Sequence, residues 1–223
     1  MVIIHQIIRS PRKTISLTIQ PDGKLLVRAP LHTPTRIIEE LVNSKSDWVI
    51  SRQKAVLAAL KNKKSKQFIE GETFLFLGQA YPLTIIPHSR ERLTFDHQFK
   101  LASRAQPKAL QVFEKWYKNQ AMLVFSERTA WFAKRYGFKY KKINITSART
   151  RWGSCSSRGS ISFTWRLIMA PLSVIDYVII HELVHTVERN HAHSFWEKVA
   201  AIMPDYKDKK AWLKKNGVML NLS

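Results

Sequence analysis

Four of the chain's eight histidines lie within residues 178–196, VIIHELVHTVERNHAHSFW, whose other residues read as the apolar core of a helix. A buried polar ring is costly without a partner, so imidazoles on such a helix call for one. Pro171 upstream and the Ser173–Asp176 capping pattern predict a helix from about Val174 to Glu188. On it, Ile175, Ile179, Leu183 and Val187 form a stripe that packs against a sheet. His181 and His185 stand one turn apart on a neighbouring face, where each can present a nitrogen about 2.0 to 2.1 Å from a zinc ion. Glu182 sits about 100° around from His181, able to reach a metal-bound water without ligating. The stretch is thus an HExxH motif, two ligands and a general base.

Catalytic zinc usually has three protein ligands and a water. His191 is six residues beyond His185, and a continuous helix would rotate it away from the metal. A turn is therefore expected, with Asn190 in the left-handed conformation. The Ser194–Glu197 pattern marks a second capping box and a new helix that stops at Pro204. His191 then lies in the connection, free to face the metal, with His193 as the rival third ligand.

Charge narrows the partners. Lys and Arg number 37 against 16 Asp and Glu, a formal net charge of +21, far beyond what solubility needs. A polyanion or an anionic substrate is an expected partner, although any single lysine is first a solvated helix face. The 223 residues, 45% of them hydrophobic, suffice for one large domain or two small ones. A single cysteine, Cys155, excludes an internal disulfide framework and fits a reducing compartment. No apolar run approaches the roughly 18 residues that cross a bilayer, and MVIIHQIIRS lacks the basic region of a signal peptide. A cytoplasmic protein with no membrane partner is expected.

The fold class expected is α+β. KTISLTIQ and KLLVRAP alternate in period two around Pro21-Asp22-Gly23, a hairpin signal. Residues 36–62 have helical spacing, with a break near Asn43-Ser44. ETFLFLGQAYPLTII and RLTFDHQFKLAS return to strands. A long helix over residues 108–136 carries Leu110, Phe113, Trp116, Met122, Phe125 and Trp131 as its packing face and ends at Gly137. KINITSART and ISFTWRL read as strands around a polar loop, RWGSCSSRGS. The domains expected are therefore a strand-rich amino-terminal part with a helical insert, residues 1–105, packed on a hydrolase domain, residues 106–223.

RWGSCSSRGSISFTWRLIMAP followed by YVIIHELVHTVERNHAHSFW resembles the YgjP-like family of zinc-dependent metallopeptidase-type hydrolases. IIRSPRKTISLTIQPDGKLLVRAP and FLGQAYPLTI are similar to that family's amino-terminal half. The resemblance implies a zincin-like core with His181, His185 and His191 as zinc ligands and Glu182 as base. Thr164 stands where the family pattern has Asn, which bears on the loop's substrate role. The His181-to-His191 spacing also matches metzincin proteases, yet Glu188 occupies their glycine position and disfavours that assignment. A more distant similarity is to SprT-type proteases, which act on proteins bound to DNA.

Metal-assisted hydrolysis is the expected reaction, with Glu182 taking the proton of a zinc-activated water. Arg149, Arg151 and Arg166, flanking the polar loop, are candidates for meeting the developing oxyanion, with Ser154 of the loop as a further substrate contact. Two substrates compete. Either INITSART is an exposed edge to which a polypeptide adds as a strand, or the positive charge holds a nucleotide whose phosphoanhydride is cut. A third possibility is nucleic-acid binding through KRYGFKYKK, residues 134–142, where Tyr136, Phe138 and Tyr140 interleave with Lys and Arg. Those aromatics equally suit packing beneath the long helix. Cys155 invites a nucleophile role, but the histidines it would need are better used as ligands.

Overall fold

The period-two segments at the start of the chain pair as expected. In the computed structural model, which describes residues 2–20, 22–61 and 66–222, β2 (Ser16–Ile19) runs antiparallel to β3 (Leu25–Pro30), with Ile19 opposite Leu25. Gly23 takes φ 84° in the turn between them, a conformation open to a residue without Cβ. β1 (Ile4–Ser10) pairs in parallel with the other edge of β3, giving the order β1-β3-β2. Helices α1 (Thr35–Ser44) and α2 (Ser46–Lys61) follow, with the break at Lys45, beside the expected Asn43-Ser44. Leu25, Val27 and Ala29 share one face of β3 and form a core with Ile38, Val42 and Val49.

These elements make up one unit, Met1–Lys64, and a second spans Ser65–Leu222. The division falls well before residues 105–107, where the change from strand to helix periodicity puts it. The reason is packing. The four-stranded sheet β4 (Thr73–Phe76), β5 (Gln79–Ile86), β7 (Phe99–Ala102) and β6 (Leu93–Phe95), in that order, turns Phe74, Leu83, Phe99 and Leu101 onto α3 (Ala109–Tyr136). The Phe74 and Phe113 rings stand 4.4 Å apart, and the Tyr117 hydroxyl donates to the Leu75 carbonyl at 2.7 Å. Sheet and helix therefore share one core, and residues 103–108 are only a tight 3-10 turn leading into α3.

The buried face of α3 also differs from the expected one. Ala109, Phe113, Tyr117, Ala121, Phe125 and Thr129 recur at four-residue intervals and are buried, a row that winds about 40° around the helix at each step. Trp116 is half-buried against the same core, whereas Leu110, Met122 and Trp131 are exposed. The expected set departs from this winding row, which passes from Phe74, against Phe113, to Phe163, against Phe125. Gly137 ends the helix in the left-handed conformation, φ 73°, as expected.

Downstream, β8 (Lys142–Thr146), β10 (Ser160–Thr164) and β9 (Gly153–Cys155) form a three-stranded sheet in the order β8-β10-β9. Part of RWGSCSSRGS is thus strand β9, not loop. Residues 165–169 coil into a 3-10 turn that accepts the tip of the β4–β5 hairpin: the N–H groups of Leu77 and Gly78 donate to Ile168 and Met169 carbonyls at 2.9 and 3.1 Å. A Cβ at Gly78 would lie 2.8 Å from Pro171. That hairpin therefore braces the approach to α4 (Leu172–Val184). Helices α5 (His193–Ile202) and α6 (Tyr206–Asn216) complete the unit. Among the described residues no helix is long and apolar enough to cross a membrane.

Candidate metal centre

Helix α4 is buried almost all round, from Val174 to Ile180 and again from Glu182 to Val184. Arg128 of α3 fixes its first half, donating to both Asp176 carboxylate oxygens at 2.7 and 2.6 Å. Neither expected capping box forms. Pro171 is the N-cap, and its carbonyl takes the Val174 and Ile175 N–H groups, so Ser173 already lies inside the helix. α5 likewise starts after Ala192, with no capping by Ser194.

The helix ends at Val184, four residues before its expected end. The Thr186 hydroxyl donates to the Leu183 carbonyl at 2.7 Å, and the Val187 N–H folds back to Val184, drawing the backbone out of the α ladder. Val187 consequently leaves the apolar stripe and is exposed. The reversal needs no left-handed Asn190, whose φ is not positive. Instead the Asn190 side-chain oxygen accepts the Ala192 N–H at 3.2 Å, an Asx turn that carries His191 back.

The result is a near-equilateral triangle of imidazoles. Ring centroids of His181, His185 and His191 lie 4.8, 4.9 and 4.7 Å apart in the pairs 181–185, 181–191 and 185–191. The Nε2 atoms of His191 and His181 face each other at 3.0 Å, close to the edge of a tetrahedron of roughly 3.3 Å around a zinc ion. Nδ1 of His185 donates to the Glu188 carbonyl at 2.9 Å, which leaves its Nε2 lone pair for a metal. Burial, with the neighbouring imidazoles and Lys210, pushes His181 down to about 3, and burial lowers His191 too. Neutral imidazoles are what a metal requires. Phe195, fully buried, lies under all three rings at 4.9, 4.5 and 4.7 Å. Three nitrogens with one ligand atom each, all within 4.8 Å of one another, fit a divalent ion that takes imidazole.

Glu182 lies beside this triangle against β9. Its carboxyl is buried, and Oε2 has no hydrogen-bond partner among the described residues. Burial pushes it up to about 8, with Arg151 pulling the other way. A Cβ on Gly153 would stand 2.5 Å from Glu182 Oε1 and 2.7 Å from its Cγ, so only glycine lets the strand approach so closely. Gly153→Ala is expected to displace the carboxylate and lower kcat by about a hundredfold with metal content unchanged; turnover assays beside metal analysis check this.

A cavity of about 440 Å³ opens on the triangle, walled by β9, the turn to Gly159, His181, Glu182, His185 and His191. Ser154 lines it. Arg149 and Arg151 are exposed and outside this wall. Arg166 is buried, donating to the Ser147 carbonyl at 3.0 Å with its guanidinium 4.5 Å over Trp165. The cations in the wall are instead Lys139 and Arg189, with Lys210 and Lys214 in an adjoining cavity that shares Gly153, His181 and Glu182. Sequence reasoning put Lys139 in a nucleic-acid-binding stretch and brought none of the four to this site; they come from α6, from the segment before β8 and from the reversal, and no local pattern joins them.

His193 stands outside the triangle, exposed, with Nδ1 3.2 Å from a Glu197 oxygen. Cys155 lines the cavity, but burial and Glu182 raise its pKa and keep it a thiol. Phe138 and Tyr140 pack against the core while Tyr136 stays exposed. β8 is the sheet edge away from the histidines; the edge at the cavity is β9. Trp152 O accepts from Thr164 and the Ser156 N–H donates to Ser160, so antiparallel alternation turns the backbone groups of Gly153 and Cys155 away from β10.

No curated protein matches the chain. A solved structure, the metallopeptidase zymogen of Pyrococcus abyssi abylysin, overlays with a TM-score of 0.38 at 19% identity, covering 41% of this chain and 93% of that one. A family model described as YgjP-like, metallopeptidase domain, matches residues 13–216, which include the imidazole triangle, Glu182 and β9, and the chain belongs to that family.

Proposed function

We propose that the chain is a zinc-dependent peptidase in which His181, His185 and His191 hold the ion and Glu182 handles the proton of the attacking water. The observation that carries this reading is the imidazole triangle with a buried, unpartnered carboxyl beside it. Three nitrogen donors suit zinc and disfavour magnesium or calcium, which take oxygen. When bound, the ion supplies Lewis acidity: it lowers the pKa of a water towards about 7 and polarises the scissile carbonyl. Glu182, buried beside the triangle, would accept the proton of a water held there and return it to the leaving nitrogen. The outward backbone groups of Gly153 and Cys155 hold an extended polypeptide by strand addition, which replaces β8 with β9 as the pairing edge. A reduced Cys155 and the single-cysteine composition favour a cytoplasmic setting.

A second reading, hydrolysis of a nucleotide phosphoanhydride, is favoured by Lys139 and Arg189 in the cavity wall. Incubating zinc-loaded protein with casein, and separately with nucleoside triphosphates, distinguishes the two. Peptide products that a chelator abolishes are expected. Phosphate release without peptide products overturns the peptidase reading.

A further inference from the structure

The two cavities at the triangle adjoin at β9, with Gly153, His181 and Glu182 in the walls of both. The first follows Gly153, Ser154 and Cys155 to Gly159, and Lys139 and Arg189 stand at that end. Two hydrogen bonds agree with the placement: the Lys141 N–H donates to the Gly159 carbonyl at 2.8 Å, and the Arg189 guanidinium to the Ser157 carbonyl at 3.4 Å. The second cavity, about 320 Å³, is lined by Trp152, Gly153 and Tyr177 and, from α6, by Lys210 and Lys214. His181 and Glu182 line both, so the reacting centre lies between two pairs of cations.

Some cations near the site are neutralised within the chain and others are not. Lys209 is ion-paired with Asp205 at 2.7 Å and Lys198 with Glu188 at 3.6 Å. None of Lys139, Arg189, Lys210 and Lys214 has a carboxylate within 4.0 Å among the described residues, and Glu182 is the only acid in either wall. Lys210 is held in place without one, its ammonium 4.3 Å over the Trp196 ring. Trp196 in turn stacks on His191 at 5.5 Å and on Tyr206 at 5.3 Å. Both cavities thus carry positive charge whose counter-charge the chain does not supply.

We infer that the two cavities select polypeptides with acidic side chains on both sides of the cut bond. The inference rests on the peptidase reading and deepens it. A chain laid along β9 by backbone pairing sends alternate side chains towards the walls, and Asp or Glu flanking the scissile residue meets Lys139 and Arg189 in one cavity and Lys210 and Lys214 in the other. A nucleotide needs its cations converging on one phosphate chain, whereas these are divided between two cavities, the first of which also holds the open strand edge.

The test uses two measurements. In the first, a fluorescein-labelled peptide with glutamates on both sides of a central Ala-Leu is titrated with full-length Glu182→Gln protein, beside its glutamine counterpart and a labelled nucleoside triphosphate. The glutamate peptide is expected to bind about tenfold tighter than the glutamine one at low salt, and the advantage to shrink as salt rises. Lys139→Ala/Arg189→Ala and Lys210→Ala/Lys214→Ala are each expected to weaken it about fivefold, with little change for the glutamine peptide. In the second, wild-type protein loaded with zinc is assayed for cleavage of both peptides. Equal binding of the two peptides, or tighter binding of the nucleotide lost in the same variants, overturns the inference while leaving any observed cleavage intact. Preferred binding of the glutamate peptide with neither peptide cut sustains the acidic preference and counts against the peptidase reading instead.

Discussion

Glu182→Gln is expected to lower kcat about a thousandfold while the protein keeps its metal and its fold, since a positioned general base contributes roughly 10²- to 10⁴-fold. Gln preserves the shape of the side chain pressed against Gly153 but cannot accept a proton. Removing a carboxyl that burial pushes up to about 8, and whose Oε2 lacks a partner, also lifts a cost of folding at neutral pH, so the loss of rate comes without a loss of stability. Metal analysis by mass spectrometry and a peptide turnover assay, on the same preparation, check both halves. A variant that turns over at the wild-type rate assigns the proton transfer to another group.

His191→Ala is expected to cost the metal itself. With two imidazoles left, affinity falls by more than the roughly hundredfold that loss of a merely supporting hydrogen bond reaches, and dialysed protein comes out empty. The melting temperature then stops rising with added zinc, because a ligand that no longer binds the folded state no longer stabilises it; at a hundred times its Kd it would contribute about 2.7 kcal/mol. His193→Ala is the matched control. That ring is exposed and paired with Glu197, so the variant retains metal and turnover. If instead His193→Ala empties the site and His191→Ala does not, the triangle is not the ligand set.

Both outcomes bear on how far the chain could be read without coordinates. HExxH spacing puts His181 and His185 together on any helix, because one turn of 3.6 residues is local geometry. The position of His191 depends on the chain between the two helices. Its reversal was legible as a requirement, but the device was not: an Asx turn and a threonine hydroxyl end the helix, where a left-handed Asn190 and a longer helix were expected. The hairpin around Gly23, the break between α1 and α2 and the stop at Gly137 were legible for the same local reason.

Non-local pairing escaped the reading. β9 is three residues long, too short to show a period, and becomes a strand only because β10 lies beside it. The sheet edge at the cavity, the burial of Arg166 and the inclusion of the β4–β7 sheet in the second unit all depend on residues distant along the chain.

What the amino-acid sequence determined by itself is the candidate donor set: three imidazoles and a carboxyl lie within eleven residues, 181–191, and helical spacing alone brings His181, Glu182 and His185 together. Only the tertiary structure decided what meets that set. Lys139, Arg189, Lys210 and Lys214, the glycine that admits Glu182 and the open edge of β9 are drawn together by burial of a shared core, a summed effect of many side chains that no short stretch encodes.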